Sequence, residues 1–281
     1  MAAPSVDLLQ EAARLHRQGA LGDAERRYRE ILQSEPDHAM ALYHLAVIEC
    51  QQGRLGPGIE LVRRSLASEP HQPRAHNLLG MALSRLGKQE EALASFDHAI
   101  VHQPDFADAH GNRANALMEL GRTAEAVSSY ERAVGLQPGS IGDWLNMGTA
   151  LHRLGRHEDA IGSYDRALAL QANFPEAHFN RGNVLAQLGR YEEALASYDR
   201  ALAANRRYVD AFNGRGSVLL WLGRVEGAVA NFESALALAP DHPGTLDHLV
   251  HALLAHGPDN VARARALTAV MRALAARETG E

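Results

Sequence analysis

The sequence is poor in the residues that build disulfides, metal clusters and sheets. Cys50 is its one cysteine, so an intramolecular disulfide is impossible and cysteine-rich zinc sites are excluded. Aromatic residues make up only 5% of the chain and the apolar set is mostly alanine and leucine, which favours helix over strand. Lysine is nearly missing: Lys88 is the only one, and arginine supplies the rest of the positive charge. The net charge of −6 argues against a nucleic-acid or anionic-membrane partner, since both need a basic surface. No apolar run is long enough to span a membrane. The N-terminal stretch MAAPSVDLLQEAARLHRQG is amphipathic and carries Asp7 and Glu11 early, without the basic start and apolar core of a secretion signal. A cytoplasmic location is the expectation.

What is present is a period. Pro36, Pro70, Pro104 and Pro138 stand 34 residues apart, and Pro240 lies three periods beyond Pro138, with Ala172 and Arg206 at the two skipped places. Gly19, Gly53, Gly87, Gly121, Gly155, Gly189, Gly223 and Gly257 keep the same step. Small residues follow in phase at Ala24, Gly58, Ala92, Ala126, Ala160, Ala194, Ala228 and Ala262. Four residues later comes a bulky set, Tyr28, Val62, Phe96, Tyr130, Tyr164, Tyr198 and Phe232, which Ala266 breaks. The stretch Glu176 to Ala204 shows the unit plainly. A helix from about Glu176 to Leu188 ends at Gly189, which takes left-handed backbone angles without a Cβ clash. A second runs from about Glu192 to Ala203, with Glu192 and Glu193 at the positive end of its dipole.

Four residue classes held in register over seven units are carried best by Trp144, Met147, Gly148, Leu151, Gly155, Ala160, Tyr164 and Ala167. On these residues the chain resembles the tetratricopeptide repeat (TPR) family. The resemblance covers about Ser5 to His242 and implies an all-α, right-handed superhelical solenoid of helix-turn-helix units. Residues 1–242, starting near residue 5, are then seven units, 243–276 a degenerate eighth acting as a C-terminal cap, and 277–281 a flexible tail. Small residues at Gly80, Ala114, Gly148, Gly182 and Gly216 are expected to face Ala92, Ala126, Ala160, Ala194 and Ala228, letting the two helices of a unit approach closely. The second unit reads as the weakest, with Glu49 where Leu or Tyr is expected and Gly58 inside a helix, so softness is expected from Arg54 to Gly58.

In this family the first helices line the concave wall. The sixth residues of successive units are His44, Leu78, Asn112, Asn146, Asn180 and Gly214, and the ninth are Val47, Met81, Asn115, Thr149, Asn183 and Ser217. Asn213 stands one residue before the gap at Gly214. A carboxamide donates and accepts at once, so such a ladder can clasp a peptide backbone whatever its side chains. Packed helices lie about 8–10 Å apart and an extended chain rises about 3.3 Å per residue, so one rung meets about every third residue. Phe179, Met118, Leu220 and Trp221 would supply sequence choice, with Trp221 as an interface anchor or as a packing residue of the cap. The expected partner-binding residues are therefore Asn112, Asn115, Asn146, Thr149, Asn180, Asn183, Asn213, Ser217 and Trp221. The ladder also resembles the repeat region of O-linked N-acetylglucosamine transferases. The carboxylate clamp of chaperone-binding members does not fit: Gly111, Glu176 and Asn180 occupy the places of its basic residues.

No chemistry of another kind emerges. His98 and His102 stand four apart and His248 and His251 three apart, without a clear third metal ligand; fifteen histidines in a helical chain make such pairs by chance. His157-Glu158 lacks the second histidine of a zinc-protease helix. Gly214-x-Gly216 falls inside a helix with no strand before it, and Lys88 lacks a phosphate-loop context. Acid–arginine neighbours such as Asp199-Arg200 read as solvated outer-face charges. The expectation is a non-catalytic scaffold for a protein or peptide partner, with no cofactor, metal, nucleic acid or membrane. The alternatives are a repeat partner of a glycosyltransferase whose catalytic domain is a separate polypeptide, and self-association through the solenoid ends.

Overall fold

The structure, a computed structural model, describes residues 4–240, 242–255, 261 and 264. Among them every regular element is a helix. In chain order these are α1 (Pro4–Arg17), α2 (Leu21–Ser34), α3 (Ala39–Gln51), α4 (Leu55–Ser68), α5 (Pro73–Arg85), α6 (Gln89–His102), α7 (Ala107–Glu119) and α8 (Thr123–Leu136). They continue with α9 (Ile141–Arg153), α10 (His157–Leu170), α11 (Pro175–Gln187), α12 (Tyr191–Ala204), α13 (Val209–Trp221), α14 (Val225–Leu238) and α15 (Pro243–Ala255). The expected second helix of the eighth unit, 261–275, and the tail 277–281 lie outside the described residues, apart from Val261 and Ala264.

The first helices α1, α3, α5, α7, α9, α11 and α13 stop for the same reason. Gly189 takes φ +72°, and the backbone N–H of Arg190 then reaches back to the Leu185 carbonyl at 2.9 Å. That bond satisfies a carbonyl the helix would otherwise orphan. The same bond recurs at Arg54–Glu49, Lys88–Leu83, Arg122–Leu117, Arg156–Leu151 and Arg224–Leu219. Only glycine accepts this backbone without strain, so the glycine period in the sequence is a turn period.

The chain divides into two compact units, Met1–Asp143 and Trp144–Glu281. In each, a first helix packs along its own second helix, and that second helix packs along the first helix of the next hairpin. First helices of successive hairpins also touch: α3 with α5 and α5 with α7 in one unit, α11 with α13 and α13 with α15 in the other. The second helices on the opposite side make no comparable contact among the described residues. Each stack therefore bends with its first helices on the inner side.

The core of each hairpin differs in one respect from the small-against-small contact expected. A Cβ placed on Gly80, Gly148, Gly182 or Gly216 would lie 2.5–2.8 Å from the ring of Phe96, Tyr164, Tyr198 or Phe232. The glycine makes room for the aromatic edge one turn beyond the alanine of the repeat; that alanine is itself fully buried, as Ala92, Ala160, Ala194 and Ala228 are. The second unit is compensated where the sequence reads it as weak. The Cys50 thiol fills the space beside Gly58, where a Cβ would meet Sγ at 2.5 Å. The buried Glu49 carboxylate pairs with Arg54 and lies 3.5 Å from Arg29. Helix α4 runs unbroken across Gly58.

Candidate interaction surface

The ladder residues are half-buried, except Asn115 and Trp221, which are exposed. The two phases of the ladder sit in different surroundings, and both follow from the aromatic of the second helix.

The ninth position lies over the buried tyrosine of its own hairpin. Tyr130 donates its hydroxyl to Asn115 Oδ1 at 2.5 Å, and Tyr198 donates to Asn183 Oδ1 at 2.7 Å. Thr149 Oγ1 stands 3.4 Å from the Tyr164 hydroxyl and also donates to the Leu145 carbonyl at 3.2 Å. A buried hydroxyl without an acceptor is costly, so the polar ninth residue stabilises the tyrosine in these three hairpins, whereas Tyr28, with Ala13 in that place, has no acceptor among the described residues. Where the aromatic is Phe96 or Phe232, the ninth residue is Met81 or Ser217 and no such acceptor is needed. This tyrosine–carboxamide coupling is visible in the sequence as a 15-residue spacing, but only to a reader who asks where the hydroxyl goes. Burial raises the pKa of the Tyr164 hydroxyl and pushes that of Tyr198 well above the ordinary tyrosine range; at Tyr164 the Thr149 hydrogen bond offsets part of the rise.

At His44, Gly214 and His248 the sixth position lies against the aromatic of the preceding hairpin. His44 stacks on Tyr28 with ring centroids 5.4 Å apart, and His248 stacks on Phe232 at 5.4 Å. At Gly214 a Cβ would lie 2.9 Å from the Tyr198 ring, so the gap in the asparagine series is a close approach that only glycine permits. Burial, and then repulsion from His16 and Arg74, lowers the His44 pKa to about 4. Asn112 donates Nδ2 to Asn77 Oδ1 at 3.0 Å, one hairpin back. Asn213 accepts from the buried Thr245 hydroxyl at 3.0 Å, one hairpin forward. Asn146 and Asn180 hold the same phase on α9 and α11.

Trp221 is 77% exposed at the end of α13, one helical turn beyond Ser217 and two beyond Asn213. Phe179, expected to give sequence choice, packs instead between Tyr198 and Tyr208, at centroid distances of 6.0 and 5.1 Å.

The acid–arginine neighbours also have a structure the sequence reading missed. Arg113 and Arg181 each donate Nε to an aspartate of the preceding hairpin, Asp97 at 2.6 Å and Asp165 at 2.7 Å. Each also donates to a serine of its own hairpin, Ser129 at 2.6 Å and Ser197 at 2.8 Å. Arg215 holds the same place: its Nε pairs with Asp199 Oδ1 at 2.7 Å as an ion pair without hydrogen-bond alignment, and its Nη1 donates to Asn231 at 3.1 Å. These are inter-hairpin bridges with a 16-residue spacing, not free outer-face charges.

Models of the tetratricopeptide repeat match residues 15–82, 77–141, 145–206 and 187–243. A comparison with curated proteins finds no match. Among solved structures, the chain is similar to the C-terminal part of a TPR repeat-containing protein from Cytophaga hutchinsonii, at 14% identity and a TM-score of 0.70 over 86% of this chain and 99% of that one. It is similar to PilW, a widely conserved type IV pilus biogenesis factor, at 24% identity and a TM-score of 0.63 over 72% and 92%. It is also similar to YrrB, a TPR protein with an unusual peptide-binding site, at 24% identity and a TM-score of 0.60 over 67% and 97%. At these identities the likeness is one of fold.

Proposed function

The chain belongs to the tetratricopeptide repeat family, and we propose that within it this protein is a non-catalytic scaffold that holds an extended peptide segment of a protein partner against its first helices. Trp221 is the observation that carries the reading: a large aromatic side chain left in solvent, in line with Ser217 and Asn213 on α13. An exposed Trp in such a row is a ready anchor for a partner. On the neighbouring first helix, α11, the Asn180 carboxamide has no hydrogen-bond partner among the described residues, so its donor and acceptor remain for a backbone amide. Asn183 spends its carbonyl on Tyr198 and keeps its NH2. YrrB, whose fold is similar, has a peptide-binding site, which agrees with this use of the surface. Asn112, Asn115, Asn146, Thr149, Asn213 and Ser217 complete the proposed binding set, and residues 243–276 are proposed as the closing cap.

Each backbone hydrogen bond adds only about 0.5–1.5 kcal/mol net, so a few rungs and one aromatic anchor give an affinity of about micromolar once ordering costs are met. A photo-crosslinking residue placed at Asn180 is expected to label a peptide partner, and the same residue at Arg200, on a second helix, is not. Equal labelling from both positions would overturn the assignment of the face.

A further inference from the structure

Four histidines meet at one corner of the third hairpin. His71 lies in the turn between α4 and α5, His76 on α5, and His98 and His102 on α6. His71 Nδ1 and His102 Nδ1 stand 3.2 Å apart. The His76 ring stacks on those of His98 and His102, with centroids 5.2 and 5.4 Å away. His71 and His98 are exposed, so the cluster is open to solvent.

One of the four belongs to the framework. His76 Nε2 is 2.9 Å from the Pro70 carbonyl, which can only accept, so this nitrogen carries the proton. His110 and His178 make the same 2.9 Å bond, to Pro104 and Ala172, in other hairpins. The other three are particular to this hairpin. One period on, their places are taken by Asp105, Arg132 and Leu136, and three periods on by Asn173, Arg200 and Ala204. The repeat therefore folds without histidine at these positions.

Two nitrogens bound to a tetrahedral zinc ion at about 2.0–2.1 Å are about 3.3 Å from each other. His71 and His102 already stand at close to that separation, Nδ1 to Nδ1. We propose that His71 and His102, through Nδ1, together with His98, bind one divalent ion of the zinc, nickel or copper class and so staple the α4–α5 turn to the end of α6. Imidazole is a preferred ligand of these ions. His98 precedes His102 by four residues and shares its helix face. Among the described residues no three ligating groups converge on a point as they stand, so His98 reaches the ion by swinging off the His76 ring.

The test is calorimetric titration of the untagged full chain with zinc chloride and with nickel chloride. One equivalent is expected to bind. His71→Ala, His102→Ala and His98→Ala should each weaken binding by at least the roughly 10–100-fold that even outer-shell changes cost. His248→Ala/His251→Ala, a pair elsewhere in the chain, should leave it unchanged. Nitrogen NMR of the unmodified chain gives a readout independent of the variants: the Nδ1 signals of His71 and His102 should move when zinc is added. Absence of stoichiometric uptake, unmoved signals, or uptake that survives His71→Ala or His102→Ala overturns the site. Unchanged affinity in His98→Ala overturns the three-histidine assignment.

Discussion

Tyr198 donates its buried hydroxyl to the carboxamide oxygen of Asn183, 2.7 Å away on the first helix of the same hairpin. The bond makes a candidate binding residue part of the fold. Asn183→Ala would leave the hydroxyl buried without its acceptor and is expected to cost about 1–3 kcal/mol, and Tyr198→Phe about 0.5–1.5 kcal/mol. Tyr28 is the contrast, since its buried hydroxyl has no partner among the described residues. Tyr28→Phe should be neutral or mildly stabilising. Urea unfolding of the three variants checks the order.

Gly58 and Cys50 form a second coupled pair. Gly58→Ala gains helix propensity worth about 1 kcal/mol but drives its Cβ to 2.5 Å from the Cys50 thiol, an overpacking cost of about 1–3 kcal/mol. The single change should destabilise or at best break even. Made in a Cys50→Ala background, Gly58→Ala should instead stabilise. A double-mutant cycle by thermal unfolding reads the coupling.

Glu49 sits buried where the repeat usually places an aliphatic residue, held by Arg54 and Arg29. Replacing a buried ion pair by apolar packing is often neutral or stabilising. Glu49→Leu should therefore hold or raise the melting temperature. Arg54→Ala, which strips the carboxylate of its nearest cation, should lower it.

His44 gives a pH dependence with a defined sign. Burial against Tyr28 depresses its pKa to about 4, from an ordinary value of 6.5. The unfolded chain takes up a proton that the folded chain refuses, so stability is complete above pH 6.5 and is lost progressively as pH falls towards 4. Allowing for solvent around a half-buried ring, the effect is about 1–3 kcal/mol. His44→Phe keeps the stacking and should flatten this part of the curve, as measured by urea midpoints from pH 7 to about pH 4.

The hairpins were legible because their causes are local. The left-handed Gly189, with Arg190 reaching back to Leu185, leaves a mark at every period. The surroundings of the ladder were not, because polarity on a helix does not say what the polar group meets. Asn115 and Asn183 look alike as open carboxamides, yet each accepts from a tyrosine fifteen residues later. Gly214 looks like a missing rung and is the place where Tyr198 comes too close for a Cβ. Asp199 next to Arg200 looks like a solvated pair, but Asp199 bridges to Arg215 in the next hairpin. In each case the partner lies one helix away at a fixed separation, and a reading along one helix at a time passes over it.

The central claim is that the first-helix face grips an extended peptide, and its most direct test is affinity. A peptide selected from a random display library against the full chain would be titrated calorimetrically into the wild type and into Asn180→Ala/Trp221→Ala. Neither side chain satisfies a buried tyrosine, so helix content should be unchanged. The account predicts about micromolar binding to the wild type and a loss of at least tenfold in the variant. Equal affinity for both proteins would contradict it.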